Sequence, residues 1–158
     1  MNREIIKYPN PILRKKCEEV KELTEGIKNL GWDMIETMVE NEGIGLAASQ
    51  IGELKRIIIV QAEKGPEVFI NPKIIKKSKE TEIGEEGCLS FPGLFLKIKR
   101  KKEIEIEAIN LNGEKIQMKI KGLLARIFQH EIDHLDGILI IDKINLWQRL
   151  KLKYGFGR

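Results

Sequence analysis

Gln129-His130-Glu131-Ile132-Asp133-His134 places two imidazoles four residues apart, with a carboxylate directly after the first. On a helix, residues i and i+4 lie one turn above each other, so both rings face the same way and can converge on one cation. Glu131 then points beside that cation, where a water would be held, and can accept and return its proton. This is the HExxH pattern of metal-dependent hydrolysis. Two histidines could also serve as ordinary hydrogen-bonding groups in a core. Yet these are the only two among 158 residues, and both fall at ligand spacing.

A catalytic ion takes three protein ligands and keeps one position for water or substrate. Cys88, in Glu86-Gly87-Cys88-Leu89-Ser90, offers a soft anionic thiolate, and Gly87 lets the backbone approach closely. Cys17 sits in the charged stretch Arg14-Lys15-Lys16-Cys17-Glu18-Glu19 and reads as a half-buried or exposed thiol. On spacing alone a carboxylate stays open as the third ligand, with Asp136 and Asp142 as downstream options. A further cluster, Gly43-Ile44-Gly45-Leu46-Ala47-Ala48-Ser49-Gln50, lacks the Gly-Lys-Ser/Thr ending of a phosphate loop. Its glycines and small neighbours suit backbone running close to a ligand or another strand, and tight packing explains them equally well.

The elements that must hold these groups follow from periodicity. Ile27, Leu30, Met34, Ile35, Met38 and Val39 recur at three- and four-residue steps, giving a helix capped by Thr24 and stopped near Gly43. Arg56 to Val60 is β-branched and reads as an inner strand. Val68 to Asn71 reads as a strand ending in a turn at Pro72. Ile104 to Ile109 and Lys115 to Ile120 alternate apolar and charged residues around Asn112-Gly113, predicting a hairpin with a loop of four or five residues. Leu123 to Leu135 has helical periodicity and stops at Asp136-Gly137. Asp142 is expected to cap a final helix containing Ile144, Leu146, Trp147, Leu150 and Leu152. The expectation is one α+β domain over residues 1–158: mixed or antiparallel sheets around a central helix that carries HExDH, with a C-terminal helix.

Composition narrows the classes. No apolar run exceeds four residues, so no helix is expected to span a membrane. The segment MNREIIKYPN has no apolar stretch or cleavage site of a secretory signal, which predicts a cytoplasmic protein with reduced thiols. A net charge of +4, from 28 basic and 24 acidic residues, predicts no direct nucleic-acid specificity. The one dense basic run, Lys97 to Glu103, reads as a solvated strand edge. Abundant Lys, Glu and Ile with only four Asp hint at adaptation to heat.

Taken together, the three clusters resemble the motifs GxGLAAxQ, EGCLS and QHExDH of the peptide deformylases, in the same order and across essentially the whole chain. The resemblance implies hydrolysis of the N-formyl group from formyl-Met at the start of nascent polypeptides. It implies Cys88, His130 and His134 as metal ligands, Glu131 as general base, and the Gln50 amide and Leu89 N–H as donors to the oxyanion. Ile44 and Gly45 would lie along the substrate backbone, and Arg100 would pair with Glu86 to brace the cysteine loop. Ferrous iron is the implied ion, with nickel, cobalt or zinc as substitutes. Ile44, with Leu123 and Ile127 on the face of the motif helix that carries the histidines, is the expected lining of a methionine pocket, although each suits plain core as well. Two positions depart from the family pattern: Ser49 stands where proline is common, and Phe95 where a substrate-side arginine is common. The C-terminal segment Trp147 to Tyr154 mixes apolar and basic residues. It reads either as an ordinary packed helix or as a contact to the ribosome, which some family members make through this helix.

Overall fold

A computed structural model of the chain describes the backbone of residues 1–156 and side chains as far as residue 152. The Lys153 and Tyr154 side chains, part of the segment weighed for ribosome contact, lie outside the described residues. The elements in order are α1 (Glu25–Glu40), β1 (Gly45–Ala47), β2 (Ile57–Ala62), β3 (Gly65–Lys77), β4 (Thr81–Cys88), β5 (Phe91–Lys101), β6 (Glu103–Ile109), β7 (Lys115–Lys121), α2 (Gly122–Leu135) and α3 (Leu146–Phe156). A five-stranded sheet runs β1-β2-β3-β6-β7, and β4 and β5 form a separate two-stranded sheet. Every pair of strands is antiparallel. The fold is α+β, as expected, and the helix bearing HExDH is buried among the strands.

β2 shows why the sequence runs apolar without alternating. Ile58 and Val60 pack with Phe128 and Ala125 of α2, while Ile57 and Ile59 pack with Met34 and Met38 of α1. Both faces are covered, so both faces must be apolar. α1 begins as predicted, with the Thr24 hydroxyl accepting from the Ile27 N–H, a cap contributing about 1 kcal/mol. The β6–β7 hairpin closes with Ile109 opposite Lys115, leaving a loop of the predicted length.

Two expectations need correction. β3 does not stop at Pro72 but continues to Lys77. Asn71 takes a left-handed backbone with φ of 52°, and the register with β6 shifts between Ile70 and Lys73. Pro72 therefore sits in a bulge, where the missing N–H breaks no ladder bond. The Asn71 amide holds this kink by bonding the Val20 N–H and C=O, both at 2.8 Å. The second correction concerns α3, which Asp142 does not cap. Asp142 belongs to a 3-10 turn over Ile140–Lys143 and accepts from the Leu139 N–H at 2.8 Å. Asn145 caps α3 instead, accepting from the Gln148 N–H at 2.9 Å while Gln148 accepts from the Asn145 N–H at 3.1 Å. This reciprocal pair is a capping box.

Candidate metal centre

Three pieces of chain converge at the site: the end of β4 with Cys88, the middle of α2 with both histidines, and the 3-10 turn after β1 with Gln50. The Cys88 Sγ and one ring nitrogen each of His130 and His134 lie within 4.8 Å of one another. Cys88 Sγ is 3.3 Å from His134 Nε2. An ion with bonds of about 2.0–2.3 Å would need donor gaps of roughly 3.3–3.8 Å; the Cys88–His134 gap already has that size, and the cluster as a whole is slightly wider. One soft sulfur and two imidazoles suit first-row divalent ions such as zinc, iron, cobalt and nickel. Among the described residues this group contains no fourth side chain.

The other candidates lie elsewhere. Asp136 is paired with Arg56 at 2.8 Å, and Asp142 with Arg14 and Arg149. Cys17 is 3% exposed, not half-buried or surface-lying. Its charged neighbours face solvent while its own N–H bonds the Leu135 carbonyl at 2.8 Å, turning the thiol inward. Both cysteines are free.

His130 is oriented from behind. Its Nδ1 donates to Glu86 Oε1 at 2.9 Å; a carboxylate partner assigns the proton to Nδ1 and leaves the Nε2 lone pair for the cluster. Glu86 is itself gripped by Arg100 through two bonds of 2.9 Å, the brace expected from sequence, and by Arg126 at 2.8 Å. Burial opposes ionisation of Glu86, but Arg100 and His130 hold its carboxyl far below the usual range. Arg100 also reaches Asp133 of the motif at 2.5 Å. For His130 burial pulls the imidazole down, yet Glu131, Cys88 and Glu86 outweigh it and raise it well above its ordinary value. His134 moves the other way, pressed down by burial and by the positive charges of His130 and Arg100.

Glu131 is 5% exposed. Its Oε1 lies 4.0 Å from His130 Nε2, and its Oε2 is buried with no hydrogen-bond partner. Burial pushes its carboxyl up to about 7, with the nearby Glu86 and Asp133 adding to the rise. Gly45 makes the room: a Cβ there would lie 2.9 Å from Glu131 Cδ. Gln50 is equally constrained. Its Oε1 accepts from the Ala47 N–H at 2.9 Å, which forces Nε2 to face Ser90 Oγ at 3.1 Å and Cys88 Sγ at 3.5 Å. The Ser90 hydroxyl donates to the Ile6 carbonyl at 2.7 Å, so its lone pairs are left to receive Gln50.

A cleft of about 560 Å³ opens over these groups, walled by Ile44, Gly45, Gln50, Cys88, Leu89, Phe95, His130 and Glu131 among others. Ile44 and Phe95 stand at its rim, 52% and 64% exposed, and the Phe95 ring lies against Gly87. Leu123 and Ile127 do not border this cleft. Leu123 is exposed at the start of α2, and Ile127 packs into the core with Phe128. Ser49, the other departure, is fully buried and its hydroxyl faces the His134 carbonyl at 3.5 Å. Sequence reading passed over Arg126, Ser90 and Gln129, whose partners are distant in the chain. The Gln129 amide, for instance, clamps the Lys101 N–H and C=O at 3.0 and 2.9 Å, fixing α2 to the end of β5.

Comparison with known proteins points to one family. The family model described as Polypeptide deformylase matches residues 2–150. The chain is 44% identical over 146 residues to a peptide deformylase of Thermotoga neapolitana, covering 92% of this chain and 89% of that one. It is 50% identical over 143 residues to a peptide deformylase of Dictyoglomus thermophilum, covering 90% and 93%. The crystal structure of peptide deformylase from Thermotoga maritima superposes with a TM-score of 0.89 at 43% identity, over 92% of this chain and 99% of that one.

Proposed function

The chain belongs to the polypeptide deformylase family, and from that membership we infer its reaction and the groups that perform it. It is a hydrolase that removes the N-formyl group from the N-terminal formylmethionine of nascent polypeptides, releasing formate. The observation that carries this to named residues is the convergence of three donor side chains beside a buried carboxylate.

Cys88, His130 and His134 are the proposed ligands, and ferrous iron is the proposed ion, with nickel, cobalt or zinc as substitutes. The donor set supports any of these ions; the choice of iron rests on the family resemblance. Such an ion would supply Lewis acidity to a water and to the formyl oxygen. Glu131 takes the proton from a water whose oxygen bonds to the formyl carbon, and hands it to the amine nitrogen as the carbon–nitrogen bond breaks, leaving formate and a free N-terminus. A carboxyl lifted by burial towards neutrality suits both steps. The Gln50 amide and the Leu89 N–H donate to the oxygen on which negative charge develops, the Gln50 Oε1 being fixed by the Ala47 N–H so that its Nε2 faces the cleft side of Cys88. Gly45 and Ile44 lie along the substrate backbone. Ile44 is the member of the proposed methionine pocket that borders the cleft.

Residues 1–158 act as one catalytic unit in this reading, since the site draws on segments from Ile6 to His134. The cytoplasm is the proposed location, and nascent chains as substrate support it; no helix among the described residues is long and apolar enough to cross a membrane. Contact with the ribosome through the C-terminal segment is supported by Leu146 and Trp147, which are 68% and 77% exposed.

Glu131→Ala tests the assignment. The variant should keep its metal while formate release from formyl-Met-Ala falls at least about 100-fold. Near-wild-type turnover in the metal-loaded variant would remove Glu131 from the proton path.

A further inference from the structure

Arg126 lies on α2 one turn before His130, so both side chains project towards β4. They meet on the same carboxylate. Glu86 Oε1 accepts from His130 Nδ1 and from Arg100 Nη2, each at 2.9 Å. Glu86 Oε2 accepts from Arg100 Nε at 2.9 Å and from Arg126 Nη1 at 2.8 Å. The remaining Arg126 donors go to backbone: Nη1 to the Ile98 carbonyl and Nη2 to the Glu82 carbonyl, both at 2.8 Å. Arg126 is 8% exposed. Its place is reserved by Gly84, where a Cβ would stand 2.9 Å from the guanidinium carbon and 3.0 Å from Nε and Nη2.

Resting on the metal reading above, we propose that Arg126 is a positioning residue for the metal: by holding Glu86 it fixes the orientation and donor strength of His130. The sharing of charge gives the reason for a second arginine. Glu86 must share Arg100 with Asp133, which also has Lys143 at 3.4 Å. Arg126 supplies a guanidinium that Glu86 does not share with Asp133. Without it Glu86 Oε2 keeps a single donor, the carboxylate can shift within the fork of Arg100, and its less well compensated negative charge draws the His130 Nδ1 proton harder. Both changes reach the ring nitrogen on the far side of the imidazole. Loss of a group that orients a ligand weakens metal affinity by about 10–100-fold.

A strut that merely ties the β4–β5 hairpin to α2 would use the same backbone bonds, so stability alone does not separate the two roles. The cobalt-loaded protein does. Arg126→Met should release its ion to a chelator about tenfold faster than wild type and shift the visible absorption bands of bound cobalt. Arg126→Lys, which keeps the charge beside Glu86 but not the fork to the carbonyls, should restore release rate and spectrum more fully than thermal stability. Gly84→Ala, read in the same way, pushes the guanidinium off Glu86 with Arg126 chemically intact, and it decides the question if Arg126→Met does not fold. Wild-type release and spectrum in Arg126→Met or Gly84→Ala, with only the thermal midpoint lowered, overturn the proposal and leave the metal reading standing. Failure of the wild type itself to hold cobalt overturns both.

Discussion

Glu131 Oε2 has no partner in the fold, and its carboxyl stands near 7 instead of its ordinary 4.5. Such a group favours the folded protein only while protonated. Its folded pKa exceeds its unfolded one, so the stabilisation is complete below about 4.5 and is lost as pH rises through about 7. In metal-free protein, Glu131→Gln removes this dependence. Denaturant unfolding should show the variant gaining on wild type between pH 4 and pH 8, by on the order of 3 kcal/mol. Parallel pH slopes would show that Glu131 is not strained. The identity of the residue is thus set by chemistry against stability, and Gly45 is part of the same arrangement. The sequence showed Gly45 only as a place of close approach; the structure identifies the neighbour as the Glu131 side chain. Groups whose work is defined by spacing along one helix, such as His130, Glu131 and His134, were legible from the start. Arg126 and Ser90 were not, because Arg126 meets Glu86 40 residues away and Ser90 meets Ile6 84 residues away.

At the scale of elements, legibility followed amphipathic pattern. α1, α2 and the β6–β7 hairpin each bury one stripe or one face, so their periods survive in the sequence. β4 was not anticipated, since Thr81 to Cys88 contains two glycines and three glutamates. Its carbonyls at Glu82 and Gly84 are engaged by Arg126 instead. The basic run Lys97 to Glu103 was read as solvated, and Lys97, Lys99 and Lys102 are exposed; Arg100 is the exception, 5% exposed and turned into the site. Strand alternation places it inward, but nothing in the run distinguishes it from the lysines beside it. The start of α3 was misplaced because Asp142 and Asn145 are both good caps, and only the 3-10 turn between Ile140 and Lys143 decides between them. Asn145→Ala should lose about 1 kcal/mol, lowering the thermal midpoint by about 2–4 °C. A scanning calorimeter would register it, and an unchanged midpoint would mean that the Asn145–Gln148 pair does not hold the helix start.

For the molecule as a whole, the five-stranded sheet is a middle layer, with α1 against one face at β2 and α2 against the other. Away from α1, the outer face beyond β3 carries glutamates of β6 between lysines of β3 and β7: Glu107 opposite Lys73, Glu105 opposite Lys76 and Lys119, Glu103 opposite Lys121. Interleaved charges of this kind leave no block of one sign along these pairs. β3 joins the two regions, laddering with β2 through Gly65 to Ile70 and with β6 from Ile70 onwards, with the change of partner at the Asn71–Pro72 kink. The kink is therefore a seam. Transient opening of the β6–β7 side can stop at Pro72, which has no N–H to bond a neighbouring strand and lies where the register shifts. Deuterium should enter the backbone of Lys73 to Lys77 together with β6 and β7, sooner than it enters Val68 to Ile70 and β2, which sit between two helices. Simultaneous labelling across the seam would mean that the sheet opens as one piece.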